Sequence, residues 1–422
     1  MIKVYIGDRY VYDVRSYAAL ARGAGTMNGL GLRASVTAVL AALALTAAAC
    51  GSSGSGGGSG GSGGTISIGV PVPLSGDYAS AGTDILHGAQ LAAKKINASG
   101  GVNGKKIKIV SQDDACQAQT AAQAAAKLMS QGIAVAAGGY CSTAALPELS
   151  AFHRAGIPFV MDASTNPQLT EQGFTDAFRT IGRDDEQGPI AASFITKFLH
   201  DKRVAVGNDN STYSKGLAES TVSALKADGA QVVFNNALTP GQSDYTSFLT
   251  KVAQSKPQVF YYSGYYPEFG LMLKQAKQLG LHFTMMGGDA NNDPTLIKTA
   301  GSAATGALVD TAPLAQFLTS AKDFVSAYKA AYHAGPGPYS SYEYDAVGAA
   351  AQAIKTAGST SPGKIISALH GITSYSGITG SFHFDSHGDR KPANYIVTIV
   401  RSGSFAAYKK LDLSTGQWVN VS

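Results

Sequence analysis

Hydrophobic residues recur with two different periods from residue 65 onward. The first strand and helix patterns are carried by Ile66, Ile68 and Val70 at period two, then by Leu86, Ala89, Ala93 and Ile96 at helical spacing. The alternation continues through predicted strands 106–110, 133–137 and 158–162 and predicted helices 118–130 and 144–155. Short apolar runs bounded by Gly or Pro are typical of buried parallel strands. This half of the chain is therefore predicted to be a doubly wound α/β unit.

A second α/β series follows in the middle of the chain. Its predicted helices are 187–199, 214–228, 245–254 and 268–279, and its predicted strands are 203–207, 231–235, 259–263 and 283–287. Helices 321–332, 342–356 and 362–369 then precede a Gly- and Ser-punctuated tail with a strand pattern at 395–400. Two α/β lobes account for this length better than one sheet of unusual width.

Two of the predicted strands end in loops with hydroxyl side chains. Ser142 follows strand 133–137, Thr165 follows strand 158–162, and a segment with helical character comes after each. Ligands of parallel sheets sit at the carboxyl ends of strands, where helix N-termini offer unpaired N–H groups. The two loops therefore predict a carboxylate site without any lysine or arginine. Simple N-capping of the helices is the alternative.

Aromatic and acidic residues occupy similar loop positions. The tyrosines are Tyr140, Tyr213, Tyr265 and Tyr339. Their rings suit an apolar side chain held in a cleft between lobes, although surface packing also explains any one of them. Asp289 follows strand 283–287 and is predicted to meet an ammonium group or, alternatively, to cap the turn at 291–296.

Composition excludes one large class of partners. The 422 residues are 45% hydrophobic and 14% charged, with a formal net charge of +5. The densest basic run is only Lys105, Lys106 and Lys108, which a solvated strand explains. We therefore expect no nucleic-acid partner.

The first 64 residues are unlike the rest. Within residues 1–49, Met27 opens a segment with Arg33, an apolar stretch at 34–45 and small residues before Cys50. The segment resembles a bacterial lipoprotein signal, which implies translation from Met27, export, and lipidation of Cys50. A transmembrane anchor is the alternative, but the stretch is shorter than the about 20 residues needed. Residues 50–64 are predicted to be a flexible Gly/Ser tether.

The remaining cysteines, Cys116 and Cys141, make an even pair in an exported protein. We predict a disulfide that fastens the loop after strand 106–110 to the Ser142 loop. Two buried free thiols are the alternative.

One motif favours an enzyme. His383, Asp385, His387 and Asp389 alternate, and on a strand they would share one face, as zinc or another metal requires. A hairpin rich in turn residues is the other interpretation. No nucleophile with an orienting base is visible outside the tether. We therefore predict no enzyme activity, no metal and no cofactor.

Several segments, in order, are similar to the leucine/isoleucine/valine-binding proteins, the solute receptors of branched-chain amino-acid ABC importers. They are residues 113–116, Cys141 with Ser142, residues 165–170, residues 187–189 and residues 261–268. The resemblance covers nearly all of the chain after Ile66. It implies a type I periplasmic-binding-protein fold, two doubly wound lobes on a hinge that close on the ligand. The expected lobes are 65–184 with 312–385, and 185–311 with 386–422.

The resemblance also implies roles for individual residues. Ser142 and Thr165 hold a ligand carboxylate, the Ala163 carbonyl and Asp289 take its ammonium, Tyr213 and Tyr265 come from the second lobe, and Tyr140 and Tyr339 lie near the ligand side chain. This chain departs from the best-known members at two positions. Asp289 stands where they carry Glu, and Ala81 stands where they carry Trp, which predicts a wider pocket.

The expected function is therefore that of a monomeric, lipid-anchored receptor outside the cytoplasm. It would capture an α-amino acid, branched-chain or otherwise aliphatic, for an ABC permease and its ATPase. The alternative with the same fold is an amino-acid or amide sensor that reports to a membrane kinase.

Overall fold

The computed structural model describes residues 64–421 as an α/β protein. The helices are α1 Ala79–Ala98, α2 Ala118–Ser130, α3 Ser142–Arg154, α4 Asp184–Ser193, α5 Thr212–Ala227, α6 Thr246–Gln254, α7 Tyr266–Gln278, α8 Pro294–Ala300, α9 Lys322–Tyr332, α10 Ser340–Ala357 and α11 Pro362–His370. The strands are β1 Thr65–Val72, β2 Lys106–Asp113, β3 Val135–Gly138, β4 Phe159–Met161, β5 Ala177–Arg179, β6 Arg203–Asn208, β7 Gln231–Ala237, β8 Val259–Tyr262, β9 Thr284–Gly287, β10 Leu308–Thr311, β11 Tyr375–Gly377, β12 Gly380–Phe384, β13 Arg390–Lys391, β14 Ile396–Arg401, β15 Ser404–Asp412 and β16 Gln417–Asn420.

The predicted leader, its start at Met27, Cys50 and nearly all of the tether lie outside the described residues. Within residues 64–421, no helix combines the length and apolar character needed to cross a bilayer.

Two large sheets organise the chain. The first is wholly parallel, with the order β2-β1-β3-β4-β5, and the second has eight strands in the order β16-β15-β14-β10-β9-β8-β6-β7. The antiparallel strands β14, β15 and β16 extend one side of the second sheet. The prediction of two α/β sheets is therefore confirmed.

A third, small antiparallel sheet joins β11, β12 and β13. The lobe boundary expected between residues 385 and 386 falls in the turn of the β12–β13 hairpin. The lobe boundaries as a whole stay a prediction.

The predicted elements form with small shifts at their ends. The helix expected at 144–155 begins at Ser142 instead, and α4 continues as a π-helical turn at Phe194–Phe198. The strands β5, β10, β11, β12, β13, β15 and β16 were not predicted. Strand β5 has only three residues, too few to display a period, and its pairing with β4 is what makes it a strand.

The chain returns to the first sheet through α10, which packs against α1, β3 and β4. The Asp84 carboxylate on α1 accepts backbone N–H bonds from Gly337 at 2.7 Å, Tyr339 at 3.2 Å and Ser340 at 2.9 Å. A hydrogen bond of 2.9 Å from the Tyr328 hydroxyl completes its shell. Asp84 thus provides hydrogen-bond acceptors for backbone N–H groups that have no partner within α10, and it fixes the position of Tyr339.

The predicted disulfide between Cys116 and Cys141 is confirmed, with 5.4 Å between the two Cα atoms. It ties the loop after β2 to the residue that immediately precedes α3. The first turn of α3, including Ser142, is therefore covalently anchored to the neighbouring strand connection.

A pair of buried acids lies beneath this anchor. Asp114 and Glu148 are both fully buried, and both carboxylate oxygens of Glu148 lack a hydrogen-bond partner among the described residues. Burial raises the pKa of Asp114 to about 7, with a further contribution from the charge of Asp113. Burial, and then the charge of Asp114, raises the pKa of Glu148 well above its ordinary value. The folded protein therefore favours the protonated acids.

We predict that Glu148→Gln stabilises the protein increasingly as pH rises. An unfolded Glu loses its proton near pH 4, whereas folded Glu148 retains it, so the wild type loses stability as pH rises above that point, by about 1 kcal/mol per pH unit. Glutamine mimics the protonated acid and avoids the loss. Urea unfolding of both proteins between pH 4 and pH 8 measures the difference.

The control is Glu219→Gln, whose side chain on α5 is 68% exposed. Its effect on the free energy of unfolding should be small and independent of pH. A Glu148→Gln curve that runs parallel to the wild-type curve would contradict the prediction.

Candidate ligand-binding site

The two hydroxyl-bearing loops of the first sheet are hydrogen-bonded to each other. The Ser164 hydroxyl donates to the Gly139 carbonyl at 3.0 Å, and the Asn166 backbone N–H donates to the Ser142 hydroxyl at 3.3 Å. The two loops follow β3 and β4, which are parallel neighbours in the first sheet. The carboxyl ends of these two strands therefore lie at the same edge of the sheet. The structure therefore brings Ser142, Ala163 and Thr165 together.

The capping alternative does not describe these residues. The N-cap of α3 is Cys141 rather than Ser142, and its side chain makes no capping bond. After the second loop, the capping side chain belongs to Asn166, which accepts from the Gln168 N–H at 2.9 Å. The helix after Asp289, α8, is capped by Asp293, whose side chain accepts from the Thr295 N–H at 2.7 Å. The N-capping side chains at these three places therefore do not belong to Ser142, Thr165 or Asp289.

Asp184, at the start of α4, is a site residue that the sequence analysis missed. Its backbone N–H donates to the Thr165 carbonyl at 3.1 Å. The Thr165 hydroxyl lies beside the Asp184 carboxylate, but neither side chain makes a well-formed hydrogen bond within the described residues. Burial and then the charge of Asp289 raise the pKa of Asp184 well above its ordinary value. The only sequence signal was an acid just before the Gln187-Gly188-Pro189 motif.

Asp289 is held by two phenols. The Tyr213 hydroxyl donates to one carboxylate oxygen at 2.7 Å, and the Tyr339 hydroxyl donates to the other at 3.0 Å. Only 2% of Asp289 is exposed. Burial raises the pKa of Asp289, and the two phenol bonds partly oppose that effect. Tyr339, expected near the ligand side chain, thus also orients the carboxylate.

Four tyrosine rings pack edge-on or tilted against one another at one end of this site, and we call Tyr78, Tyr140, Tyr265 and Tyr339 the tyrosine box. Ring centroids are 4.8 Å apart for Tyr78 and Tyr265, 5.6 Å for Tyr140 and Tyr265, and 5.4 Å for Tyr140 and Tyr339. Tyr213 joins the box through Tyr265 at 5.1 Å. These separations are typical of favourable aromatic pairs.

Tyr78 places an aromatic ring in the tyrosine box three residues before Ala81, and the expectation of a wider pocket stays a prediction. Ala81 itself is fully buried in α1. An aromatic ring enters the cleft from the same loop three residues earlier, at Tyr78. The sequence analysis considered only Ala81, because the packing of Tyr78 on the other rings is visible only in three dimensions.

The cleft between the lobes is closed. Asn166 Nδ2 donates to the Thr212 carbonyl at 2.7 Å, and the Tyr266 hydroxyl donates to the Asp77 carbonyl at 2.7 Å. The Ser80 hydroxyl donates to Asp293 at 3.2 Å. Each of the eight predicted site residues is at most 5% exposed. A ligand held here would be shielded from water on all sides.

Arg179 fixes the shape of the second loop. It is fully buried on β5, and its Nη1 atom donates to the Ser164 carbonyl at 3.0 Å and the Asn166 carbonyl at 3.1 Å. Its Nε atom donates to Asp389 at 2.9 Å. Burial would raise the pKa of Asp389, but the charges of Arg179 and Arg183 hold it below its usual range. Thr165 lies between the two anchored carbonyls.

The metal motif of the sequence resolves into the hairpin interpretation. Residues 385–389 form the turn between β12 and β13. The Asp385 N–H donates a hydrogen bond to the Asp389 carbonyl across this turn at 2.8 Å. His383 and His387 are exposed, whereas Asp389 is buried in its ion pairs. Across residues 64–421, no group of three or more His, Cys, Asp or Glu side chains has a metal-binding arrangement.

Comparison with known proteins agrees with this geometry. The periplasmic binding protein family model matches residues 65–404. An amino acid binding protein of Pseudomonas aeruginosa is 35% identical over 337 residues, which are 79% of this chain and 89% of that protein. A leucine-, isoleucine-, valine-, threonine- and alanine-binding protein of the same species is 32% identical over 333 residues, again 79% of this chain and 89% of that protein.

Solved structures show the same fold. The leucine binding protein LivK from Thermotoga maritima has a TM-score of 0.77 and 30% identity, covering 81% of this chain and 97% of its own. LivJ from Streptococcus pneumoniae, in complex with isoleucine, has a TM-score of 0.76 and 28% identity, covering 84% of this chain and 99% of its own. The predicted type I fold is thereby confirmed. The chain belongs to the periplasmic binding protein family, among the leucine/isoleucine/valine-binding proteins, which are substrate-binding proteins rather than enzymes.

Proposed function

We propose that the protein is a lipid-anchored receptor outside the cytoplasm that captures an α-amino acid, branched-chain or otherwise aliphatic, and delivers it to an ABC importer. The observation that carries this proposal is the opposition of two kinds of group across the closed cleft. Neutral hydroxyl donors follow strands of the first sheet, and the buried Asp289 carboxylate follows a strand of the second. The two sides meet near Asp184, which lies beside Thr165 and whose pKa the charge of Asp289 raises.

The first lobe suits the ligand carboxylate. Ser142 stands in the first turn of α3, where backbone N–H groups and partial positive charge favour an anion. The Thr165 hydroxyl is buried without a well-formed hydrogen bond within residues 64–421. The nearby Arg179 charge is already matched by Asp389. A single carboxylate is therefore matched by neutral donors.

The acids suit the ligand ammonium. Burial raises the pKa of both Asp184 and Asp289, and the charge of Asp289 raises the pKa of Asp184 further. A cation between them would remove that repulsion and stabilise both ionised forms. An amino-acid zwitterion carries its ammonium and its carboxylate on the same residue. It can therefore pair with the acids on one side of the cleft and with the hydroxyl donors on the other.

The relatives support the ligand class. LivJ holds isoleucine in its solved structure, and a relative at 32% identity is named for leucine, isoleucine, valine, threonine and alanine. LivJ is also described as a transporter substrate-binding protein, which supports delivery to a permease and an ATPase. Loss of amino-acid uptake on deletion of the protein would separate this role from that of a sensor.

We predict saturable calorimetric binding of aliphatic amino acids to the purified protein after endogenous ligand is removed by unfolding and refolding. At a ligand concentration a hundredfold above Kd, the free energy of unfolding should rise by about 2.7 kcal/mol. The matched controls are 4-methylpentanoic acid and isoamylamine, which keep the leucine side chain but lack one charged group each. Binding of either control as tightly as leucine would contradict the zwitterion proposal.

We also predict that Asp289→Asn weakens leucine binding by about 3–5 kcal/mol, because the ammonium then lies in a buried cleft without its counter-charge. Asp289→Glu keeps the charge and serves as the matched variant, with a much smaller loss. The same variants are titrated with 4-methylpentanoic acid, which has no ammonium group. Its binding should therefore be insensitive to the loss of the Asp289 charge. Equal losses for leucine and the acid would show that Asp289 acts through the fold alone.

The anchor makes a separate prediction. Mass spectrometry of the membrane fraction should find Cys50 as the lipid-bearing first residue, and Cys50→Ala should release the protein from membranes. A peptide from residues 1–26 in native cells would contradict the predicted start at Met27.

A further inference from the structure

The Tyr140 hydroxyl is the one phenol of the tyrosine box that is buried with no hydrogen-bond partner in the described part of the chain. Only 3% of this side chain is exposed. Three other cleft phenols are committed, because those of Tyr213 and Tyr339 donate to Asp289, and that of Tyr266 donates to the Asp77 carbonyl. An unpaired buried hydroxyl destabilises a protein unless something binds to it.

Tyr140 stands where a ligand side chain would lie. It is two residues before Ser142 in the chain, and its ring packs on those of Tyr265 and Tyr339. Burial raises the pKa of Tyr140, and the phenols of Tyr339, Tyr266 and Tyr265 and the carboxylate of Asp293 lie close enough to raise it further. The hydroxyl therefore lies among the phenols of the tyrosine box.

We propose that Tyr140 is a specificity-determining residue whose hydroxyl bonds to a neutral polar atom on the ligand side chain. The preferred ligand is then an amino acid of branched-chain size that carries a hydroxyl or amide, in preference to its apolar isostere. The inference rests on the proposed function, because it takes the zwitterion site as given and concerns only the side chain.

A charged ligand side chain does not fit this end. The carboxylates of Asp293 and Asp209 are near the box and repel an acid. Both are already satisfied, Asp293 by the Ser80 hydroxyl and the Thr295 N–H and Asp209 by the Ser211 N–H. Glu268 also lies near Tyr78 of the box, and one of its carboxylate oxygens lacks a partner among the described residues. Burial raises the pKa of Glu268 to about 7, which weakens it as a counter-charge for a cation at neutral pH.

The expected preference for a polar ligand depends on whether the ligand side chain pairs with the Tyr140 hydroxyl. If valine occupies the site, the Tyr140 hydroxyl stays buried and unpaired, whereas the threonine hydroxyl of the same shape accepts its hydrogen bond. Sites built to bond a ligand hydroxyl discriminate strongly against analogues that lack it. We expect a preference of about tenfold or more for the polar member.

The test is calorimetry with two pairs of similar shape, threonine with valine and asparagine with leucine, together with aspartate and lysine. Each is titrated into the wild-type protein and into Tyr140→Phe, which keeps the ring and removes only the hydroxyl. The expected result is a polar-to-apolar affinity ratio of about tenfold in at least one pair, falling to near one in Tyr140→Phe. The thermal midpoint of each variant checks that it folds.

Tyr262→Phe is the matched control, because Tyr262 is also a buried phenol without a partner among the described residues but packs on Phe260 and Phe269 outside the box. It should leave the ratio as in the wild type. Tighter wild-type binding of valine and leucine, a ratio that survives Tyr140→Phe, or a preference for aspartate or lysine would overturn the inference. Failure of every amino acid would instead overturn the proposed function, and the inference with it.

Discussion

The buried carboxylate of Asp289 is the constraint on which the rest of the site depends. A charge that is 2% exposed is costly unless other groups replace the water that it lost. Two phenols do so in part, one from α5 and one from the residue before α10. Their hydrogen bonds join elements that pack on different sheets. The burial of this charge in the closed cleft therefore depends on groups that belong to both sheets.

This coupling explains how a ligand can hold the cleft closed. Without a cation, closure leaves Asp289 and Asp184 repelling each other in a dry site, so the closed state is less favourable. A bound ammonium reverses the sign of that interaction. A ligand shifts a conformational equilibrium only by its differential affinity for the two states, and in the proposed complex that difference would come from the two acids. A permease that recognises the closed form would then recognise the loaded form.

The remaining buried ions keep this arrangement rigid. Asp84 binds the N–H groups that precede and begin α10, so it fixes Tyr339. Arg179 binds the carbonyls on both sides of Thr165, so it fixes the loop of the first lobe. Neither residue reaches the site itself. Small displacements of either loop would misalign donors and acceptors that must meet one small molecule from two lobes.

The sequence predicted the parts of the site that follow from local pattern. Ser142, Thr165 and Asp289 each follow a predicted strand, and the ends of parallel strands necessarily lie at one edge of a sheet. The parts that it missed depend on distant pairings. Asp389 lies 210 positions from Arg179, and no local pattern joins them. Tyr78 was missed for a related reason, since the family comparison pointed to Ala81 and only packing shows which side chain enters the cleft.

The shorter acid at position 289 has its own consequence in the proposed complex. An ammonium group has three N–H donors, and it needs three acceptors when water is excluded. Each carboxylate oxygen of Asp289 already accepts a hydrogen bond from one phenol. Its remaining lone pair can therefore accept a further hydrogen bond only from a restricted range of directions. The Asp184 carboxylate, which has no well-formed bond among the described residues, and the Ala163 carbonyl supply the other two acceptors. Asp184 thus compensates for the reach that Asp289 lacks, and the ammonium is specified by three groups from three different segments.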